Sequence, residues 1–190
     1  MKTIMAPRLI IGISGASGVA YGIRALELLR ETEVETHLIL SKSAEMTMGY
    51  EVTMKPGAVR QLADVNYAIG DVGAAISSGS FNTLGMLVLP CSIRTMSEIA
   101  TGVTSSLMSR AADVVLKERR RLVLGVRETP LHTGHLRTMT QLSEIGAIIS
   151  PIVPAFYNKP QTIEDIIDHS VGRLLDLFDL EVGTVKRWKG

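Results

Sequence analysis

The sequence predicts an α/β protein built on a doubly wound, Rossmann-like parallel sheet with helices on both faces. Two observations indicate this fold. Short apolar runs rich in β-branched residues alternate with longer stretches that carry apolar residues at helical spacing. Small polar residues follow several of the apolar runs, where a strand gives way to a helix. Alternation of this kind is typical of parallel sheets, which bind ligands at the carboxyl ends of their strands.

The first strand, turn and helix form the most informative segment. Residues 9–13 are apolar, residues 14–18 are Ser-Gly-Ala-Ser-Gly, and a helical pattern begins near Val19. Small side chains let a ligand approach the backbone, and the N-terminus of a helix favours an anion. The turn therefore predicts a site for a nucleotide or flavin phosphate, with the hydroxyls of Ser14 and Ser17 as candidate ligands. Its glycine spacing is G-x-x-G-x-x-G, not the dinucleotide pattern, and a tight turn without a ligand has a similar sequence.

The later elements follow from the same periodicities. Strands are predicted over residues 34–40, 85–90, 121–126 and 147–150. Helices are predicted over residues 19–30, 41–50, 105–119, 131–145 and 163–178. Ser41 or Ser43 is the expected cap of the second helix. Residues 51–66 have a mixed pattern in which Pro56-Gly57 marks a turn, and the Gly/Ser-rich residues 69–83 predict a long loop of the kind that usually serves a site.

Small polar or charged residues end four of the predicted strands. They are residues 14–18, Ser41, residues 91–95 and the pair Arg127-Glu128. Because the carboxyl ends of parallel strands meet at one edge of the sheet, we expect these four groups to line a single crevice. Their convergence is a stronger argument for a site than any one of them.

Length and composition predict one domain without a membrane span. The 190 residues fit a single domain over residues 1–190, and the apolar runs are far shorter than the roughly 20 residues that cross a bilayer. A net charge of +1 and an aromatic content of 4% give no general reason to bind nucleic acid or an anionic membrane. The single cysteine, Cys91, and the lack of a secretory signal pattern predict a cytoplasmic protein.

Three other features predict structural roles. His132 and His135 lie three residues apart without a third ligand nearby, so we expect a helix start there and no metal site. Cys91 has no adjacent base in the sequence and is expected to be buried and unreactive. Residues 119–121, all arginine, are expected to form the solvated end of a helix.

Seven segments, spread over nearly the whole chain, resemble the UbiX-type flavin prenyltransferases. They are residues 12–18 (GISGASG), 41–42 (SK), 90–95 (PCSIRT), 110–114 (RAADV), 117–120 (KERR), 126–130 (VRETP) and 154–157 (PAFY). Any one of them is a weak signal. The combination of Lys-Glu-Arg-Arg, Arg-Glu-x-Pro and Pro-x-Phe-Tyr in this order is specific.

The resemblance implies a metal-independent transferase that joins a dimethylallyl group from dimethylallyl phosphate to N5 and then C6 of reduced FMN. The product, prenylated FMN, is expected to be the cofactor of a separate UbiD-type decarboxylase. The resemblance also implies a homododecamer with its sites at subunit contacts.

Site residues are carried over from the family position by position. The resemblance assigns FMN binding to Gly15, Ala16, Ser17, Ser41, Ser92, Ile93, Arg94, Thr95, Arg110 and Arg127. It assigns the prenyl donor to Lys117, Arg127, Tyr157, Arg173 and Trp188. It assigns catalysis to Ser17 beside N5, to Lys117, and to Glu51 and Glu128 as the acid/base pair. The C-terminal tail, residues 181–190, is expected to dock near the site or on a neighbouring subunit.

The chemistry agrees with these roles. Breaking the bond to the donor oxygen leaves negative charge on the phosphate, which fixed Arg and Lys donors stabilise when no metal is bound. The chain lacks the D-D-x-x-D clusters of metal-dependent prenyl transferases. Glu128 has to donate a proton, which burial beside the flavin favours and Arg127 opposes. Val72 stands where some family members have tryptophan, so the wall facing the prenyl group is expected to be less aromatic.

Two other functions stay open at this point. One is an FMN-dependent decarboxylase of the Cys-decarboxylase superfamily, whose members carry a catalytic His early in the chain. They also have Pro-Ala-Ser-Ala-Asn-Thr where this chain has residues 90–95, and this mismatch argues against them. The other is a non-catalytic FMN carrier for the decarboxylase partner.

Overall fold

The computed structural model describes residues 6–187 and has a parallel sheet at its centre. Its strands are β1 (Arg8–Ile13), β2 (Glu35–Leu40), β3 (Val65–Tyr67), β4 (Gly85–Cys91), β5 (Arg121–Val126) and β6 (Ala147–Ile149). Its α-helices are α1 (Val19–Leu29), α2 (Lys42–Glu51), α3 (Pro56–Arg60), α4 (Ile93–Ala100), α5 (Leu107–Lys117), α6 (Thr133–Glu144) and α7 (Ile163–Asp176).

The strand order confirms the predicted doubly wound fold. The strands lie in the order β3-β2-β1-β4-β5-β6, and every neighbouring pair is parallel. The chain winds outward from β1 to β3 on one side and from β4 to β6 on the other. The direction of winding reverses between β1 and β4, and sheets of this kind bind ligands beside that reversal.

The central strands are buried on both faces, as their nearly continuous apolar sequences predict. In β4, every residue from Gly85 to Cys91 is buried. Helices α1 and α7 pack against each other over one face, where Ile11, Leu26 and Leu175 belong to one apolar cluster. Helices α4, α5 and α6 cover the other face, whose cluster includes Met108. Each fully buried Leu, Ile or Met side chain contributes about 1.5–3 kcal/mol to folding, so these two layers hold the sheet in place.

Helix α1 approaches the sheet closely at Gly22. A Cβ atom added to Gly22 would lie 2.2 Å from the carbonyl oxygen of Leu89 and 2.9 Å from the side chain of Ile13. The Leu89 carbonyl belongs to a buried central strand and cannot retreat, so only glycine fits. This contact holds α1, and with it the turn that follows β1, against the sheet.

The region between α2 and β4 differs from its sequence prediction. Pro56-Gly57 does not form an isolated turn; Pro56 begins the short helix α3, in the first-turn position where a proline needs no amide hydrogen. The three-residue strand β3 pairs with β2 at the edge of the sheet and is too short to show a period. Residues 69–83 form the predicted loop, with a single 3₁₀ turn at Ala75–Ser77. No helix within residues 6–187 is long and apolar enough for a membrane span.

We expect Gly22→Ala to lower the free energy of unfolding by roughly 1–3 kcal/mol, because the new methyl group overlaps the Leu89 carbonyl and forces α1 from the sheet. Gly49 is the matched control, since it lies in α2 and an added Cβ atom meets nothing within 4 Å. Gly49→Ala should raise the free energy of unfolding by up to about 1 kcal/mol through helix propensity. Urea unfolding at one protomer concentration measures both changes, and equal effects of the two variants would contradict the close approach at Gly22.

Candidate active site

A crevice of about 490 Å³ lies at the carboxyl ends of β1, β2, β4 and β5. Residues from all four groups that the sequence predicts to converge line this crevice. The lining residues are Gly15, Ser41, Lys42, Ser43, Ile69, Ser92, Ile93, Arg94, Thr95, Glu98, Ser105, Ser106, Met108 and Glu128. Pockets for small molecules and cofactors span about 300–1,000 Å³, so the crevice has room for a ligand of that class.

Three helices begin at this crevice. Ser41, Ser92 and Ser106 are the N-caps of α2, α4 and α5, and their hydroxyl oxygens accept hydrogen bonds from first-turn amides at 3.0, 3.3 and 3.3 Å. The remaining first-turn amides have no partner within their helix, and the helix dipole adds about half a positive charge at each N-terminus. Three such ends around one cavity make a site for an anion such as a phosphate.

The turn after β1 brings the predicted residues Gly15, Ala16 and Ser17 to the edge of the crevice. Gly15 lines it, Ala16 is half-buried and Ser17 is exposed. A Cβ atom on Gly15 would lie 2.2 Å from the Cβ of Ser43, so the turn touches α2 directly. A larger residue at position 15 would push the start of α2 out of the crevice.

Ser14 ties this turn to the end of β4. Its hydroxyl donates to the carbonyl oxygen of Pro90 at 2.8 Å and accepts from the amide of Ser92 at 2.8 Å. The residue is 1% exposed, so its hydroxyl is committed to these two bonds. The hydroxyl proton of Ser14 is therefore engaged within the protein, so the structure does not support the suggested role of Ser14 as a donor to a ligand. Ser14 instead holds the cap of α4 against β1.

The N-terminus of α1 is occupied by a side chain of the protein itself. The carboxylate of Glu51, at the end of α2, accepts hydrogen bonds from the amides of Gly18 and Val19 at 2.8 and 3.1 Å. The prediction of a ligand phosphate at the start of α1 is therefore corrected: the anion that offsets this helix dipole is Glu51. The same contacts hold Glu51 beside the turn that carries Ser17.

Arg127 and Glu128 follow β5 at the same edge of the sheet. The amide of Arg127 donates to the carbonyl oxygen of Cys91 at 3.1 Å, and Glu128 lines the crevice. Both side chains are exposed, and the carboxylate of Glu128 accepts from the amide of Thr129 at 3.0 Å. Any burial that favours a protonated Glu128 must therefore come from a bound ligand or a second subunit.

Arg110 and Lys117 lie on α5 and do not line the crevice. Arg110 pairs with Asp113 at 2.9 Å, and Lys117 pairs with its neighbour Glu118. Helix α5 begins at the crevice, and its 11 residues extend for about 16 Å at 1.5 Å per residue. Lys117 lies in the last turn, so a single chain does not bring it to the crevice.

Tyr157 and Arg173 do not line the crevice and are connected through His169 on α7. The hydroxyl of Tyr157 is 3.1 Å from Nε2 of His169, which precedes Arg173 by one turn of α7. Arg173 pairs with Asp176 at 2.8 Å and lines a hollow of about 280 Å³ between α7 and the segment around β6. Sequence reasoning missed His169; its spacing of four residues from Arg173 on one helix was the available signal.

The C-terminal tail runs back along α7 over the residues that the structure describes. The hydroxyl of Thr184 donates to the carbonyl oxygen of Asp168 at 3.0 Å, and the guanidinium of Arg187 binds both carboxylate oxygens of Asp176 at 2.6 and 2.8 Å. Trp188 lies outside the described residues. Docking of the tail near the site or on a neighbouring subunit stays a prediction.

Cys91 and His132 have the structural roles that the sequence predicts. Cys91 is buried at the end of β4, and burial raises the pKa of its thiol to about 12. Nδ1 of His132 accepts from the amides of Gly134 and His135 at 3.0 and 3.3 Å and so caps α6. Neither residue is arranged as a catalytic group.

Arg120 departs from the prediction of a solvated helix end at residues 119–121. It is half-buried, and its guanidinium donates to the carbonyl oxygens of Gly79 and Phe81, each at 2.7 Å. Arg120 therefore fastens the Gly/Ser-rich loop to the end of α5. Val72, in the same loop, is 48% exposed.

A second cavity of similar size, about 480 Å³, is a groove lined by α1, by α7 and by the segment that follows α2. Its cation is already paired, because Arg24 binds Glu27 at 3.0 Å and Asp168 at 2.6 Å. It runs along helices and not at the ends of strands. The crevice is the better candidate, since open parallel sheets bind ligands at their carboxyl edge.

Comparison with known proteins gives matches over almost the whole chain. The family model described as Flavoprotein matches residues 2–175. The flavin prenyltransferase UbiX of Escherichia coli K12 is 55% identical over 186 residues, covering 96% of this chain and 98% of that protein.

Two solved structures are similar in both fold and sequence. AnUbiX (PadA1) in complex with FMN and dimethylallyl pyrophosphate has a TM-score of 0.97 and 52% identity, covering 98% of this chain and 99% of that chain. A dodecameric FMN-dependent UbiX-like decarboxylase from Escherichia coli O157:H7 has a TM-score of 0.94 and 48% identity, covering 96% and 100%.

Cys91 allows a direct test of the packing at the end of β4, because it is the single cysteine of the chain. Since burial raises the pKa of the thiol to about 12, the reactive thiolate is scarce below that pH. We expect no reaction of the native protein with a thiol reagent such as DTNB even at about pH 9. The denatured protein is the control and should release one thiol per chain. Rapid labelling of the native protein would contradict this packing.

Proposed function

The chain belongs to the UbiX flavin prenyltransferases of the Flavoprotein family, and we propose that it joins the dimethylallyl group of dimethylallyl phosphate to N5 and C6 of reduced FMN. The observation that carries this proposal is the crevice where three helix N-termini meet small hydroxyl side chains. We further propose that the product, prenylated FMN, passes to a UbiD-type decarboxylase.

We assign FMN to the crevice, with its phosphate near the starts of α2 and α4. Ser41 and Ser92 cap these helices, and the hydroxyl of Thr95 is 3.2 Å from that of Ser92. The carboxylate of Glu98 on α4 would repel a phosphate, but Arg94 pairs with it at 2.9 Å. The crevice therefore presents neutral donors, helix ends and an internally balanced ion pair, which suit a phosphate.

The reaction breaks the bond between the donor carbon and its oxygen, and the electron pair leaves with the phosphate. N5 forms the first bond to the five-carbon unit and loses its proton. C6 then adds to the double bond of that unit, whose other carbon takes up a proton while C6 loses its own. No external oxidant or reductant is consumed. The charge that develops on the phosphate calls for cationic hydrogen-bond donors, which we assign to Lys117, Arg127 and Arg173, with Tyr157 as a neutral donor.

Glu51 and Glu128 are assigned as the acid/base pair, with different tasks. Glu51 accepts hydrogen bonds from the amides of Gly18 and Val19 beside Ser17, and this position supports its assignment as the proton acceptor. Glu128 lines the crevice and is exposed in the single chain, and we assign its burial to the bound flavin or a neighbouring subunit. Its task is to donate a proton to the leaving phosphate.

The residues assigned to the reaction lie at three separate places on one chain: the crevice, the end of α5, and α7 with the loop that precedes it. Large apolar side chains are also exposed, among them Tyr50 at 89% and Phe156 at 69%, which is typical of surfaces that associate. The UbiX-like relative from Escherichia coli O157:H7 is dodecameric. We therefore propose a homododecamer in which neighbouring subunits bring Lys117, Tyr157 and Arg173 to the crevice.

The reaction is tested by anaerobic incubation of the purified protein with reduced FMN and dimethylallyl phosphate, without added metal. We expect mass spectrometry of the released flavin to show the mass of one added five-carbon prenyl unit. Glu128→Gln should lower the rate about 10²–10⁴-fold and leave FMN binding intact. A parallel reaction with dimethylallyl pyrophosphate identifies the preferred donor.

Recovery of unmodified FMN with both donors, with and without magnesium, would contradict the proposal. That result would favour an FMN carrier or a Cys-type decarboxylase.

Sharing of sites between subunits is tested by mixed oligomers of Lys117→Ala and Glu128→Gln chains, carrying different tags and isolated through both. Each variant alone should be inactive. If Lys117 and Glu128 of one site come from different subunits, a random equal mixture restores roughly a quarter of the wild-type activity. If both residues of a site come from one chain, every site lacks one of them and the mixture stays inactive. Mixed oligomers of two Glu128→Gln chains are the control.

A further inference from the structure

Tyr157 is held by a buried histidine for which the proposed reaction assigns no role. It lies in the loop between β6 and α7, and 51% of its surface is exposed. Its hydroxyl is 3.1 Å from Nε2 of His169, and the two rings meet edge to face with centroids 5.6 Å apart. His169 is 5% exposed on α7, one turn before Arg173. A rigid imidazole thus holds an exposed phenol at the donor subsite.

We propose that His169 is a positioning residue of the prenyl-phosphate subsite, which fixes the direction in which Tyr157 donates its hydroxyl proton. His169 does not touch the reacting atoms and acts through the hydroxyl of Tyr157. This inference rests on the proposed function, in which Tyr157 and Arg173 bind the phosphate of the donor.

The direction of the bond between Tyr157 and His169 decides what the phosphate meets. An ionised phosphate oxygen only accepts hydrogen bonds, so Tyr157 must donate its proton to bind one. The bond between the two side chains then has to run from Nε2–H of His169 to the phenolic oxygen. When Nε2 carries no proton, the tyrosine proton points at the imidazole and the phosphate meets a lone pair. Phosphate binding therefore selects the forms of His169 that are protonated at Nε2.

The charges around His169 make it responsive to a phosphate. Burial lowers the pKa of His169, the charge of Arg173 lowers it further, and Asp176 opposes both. Asp176 is itself bound by Arg173 and Arg187, and Tyr157 faces His169 from the loop. An anion beside Tyr157 and Arg173 shifts this balance, because a negative charge favours the imidazolium. Donor binding is therefore expected to take up a proton at His169.

Two substitutions separate the hydrogen bond from packing. His169→Phe keeps an aromatic ring and removes the hydrogen bond, and should raise the KM for dimethylallyl phosphate roughly three- to tenfold while the KM for FMN changes less than about twofold. His169→Gln keeps an N–H donor that does not titrate. It should restore the KM for dimethylallyl phosphate to within about threefold of wild type. It should also remove the part of the pH dependence of this KM, between about pH 5.5 and 8, that His169 causes.

Two further measurements give outcomes that a merely structural role would not produce. In a Tyr157→Phe background, His169→Phe should add less than about a twofold further change in donor KM, because its effect passes through Tyr157. Calorimetric binding of dimethylallyl phosphate, in buffers of different ionisation enthalpy, should show more proton uptake by the wild type than by His169→Gln. The calorimetry needs no turnover.

Equal proton uptake by the wild type and His169→Gln overturns the inference. So does a His169→Phe effect that is undiminished in the Tyr157→Phe background. If the wild type makes no prenylated FMN, the proposed function fails, and the calorimetry still decides whether His169 responds to the phosphate.

Discussion

The convergence of three helix N-termini on one crevice is the constraint on which the rest of the site depends. The starts of α2, α4 and α5 each carry a partial positive charge, and like charges gathered in one place repel. At α1 the fold offsets the dipole with its own carboxylate, Glu51. At the crevice the nearby carboxylate Glu98 is already paired with Arg94. Glu128 is the other carboxylate of the lining, and the three helix ends favour an anionic ligand beside them.

This convergence requires that the helix ends stay close, and small contacts at the ends of β1 and β4 keep them so. Ser14 bonds to both Pro90 and Ser92, so the turn after β1 and the cap of α4 move as one unit. Gly15 lies against Ser43 at the start of α2, and Gly22 lies against Leu89. Larger residues at these two glycines would move a whole helix, because each contact is made by backbone or by the first side-chain atom. Packing of the neighbouring helices thus requires small residues in the first turn, in addition to any access that they give to a ligand.

The parts of the structure that follow from local pattern or from strand topology could be predicted from the sequence. The strands, the cap at Ser41 and the crevice at the strand ends are of this kind, and the assigned roles come from the family resemblance. Contacts between distant side chains could not be predicted. Glu51 reaches an amide 33 residues earlier, and Arg120 reaches a carbonyl 41 residues earlier. Such contacts depend on the exact placement of loops, and β3 was missed because three residues carry no readable period.

Two of the three cations assigned to the donor are paired with a carboxylate on their own helix or next to its end. Lys117 binds Glu118 and Arg173 binds Asp176. At Asp176 burial alone would raise the pKa, but hydrogen bonds from Arg187 and Arg173 outweigh it and hold the pKa below its usual value.

Exposed ion pairs of this kind contribute at most about 1 kcal/mol, so in open water they orient their cations without binding them tightly. A phosphate competes well for such cations only where water is excluded, since the same charges interact far more strongly there. The single chain leaves Lys117 and Arg173 half-exposed on separate surfaces. In the proposed homododecamer a neighbouring subunit excludes this water, so assembly is a part of the proposed chemistry.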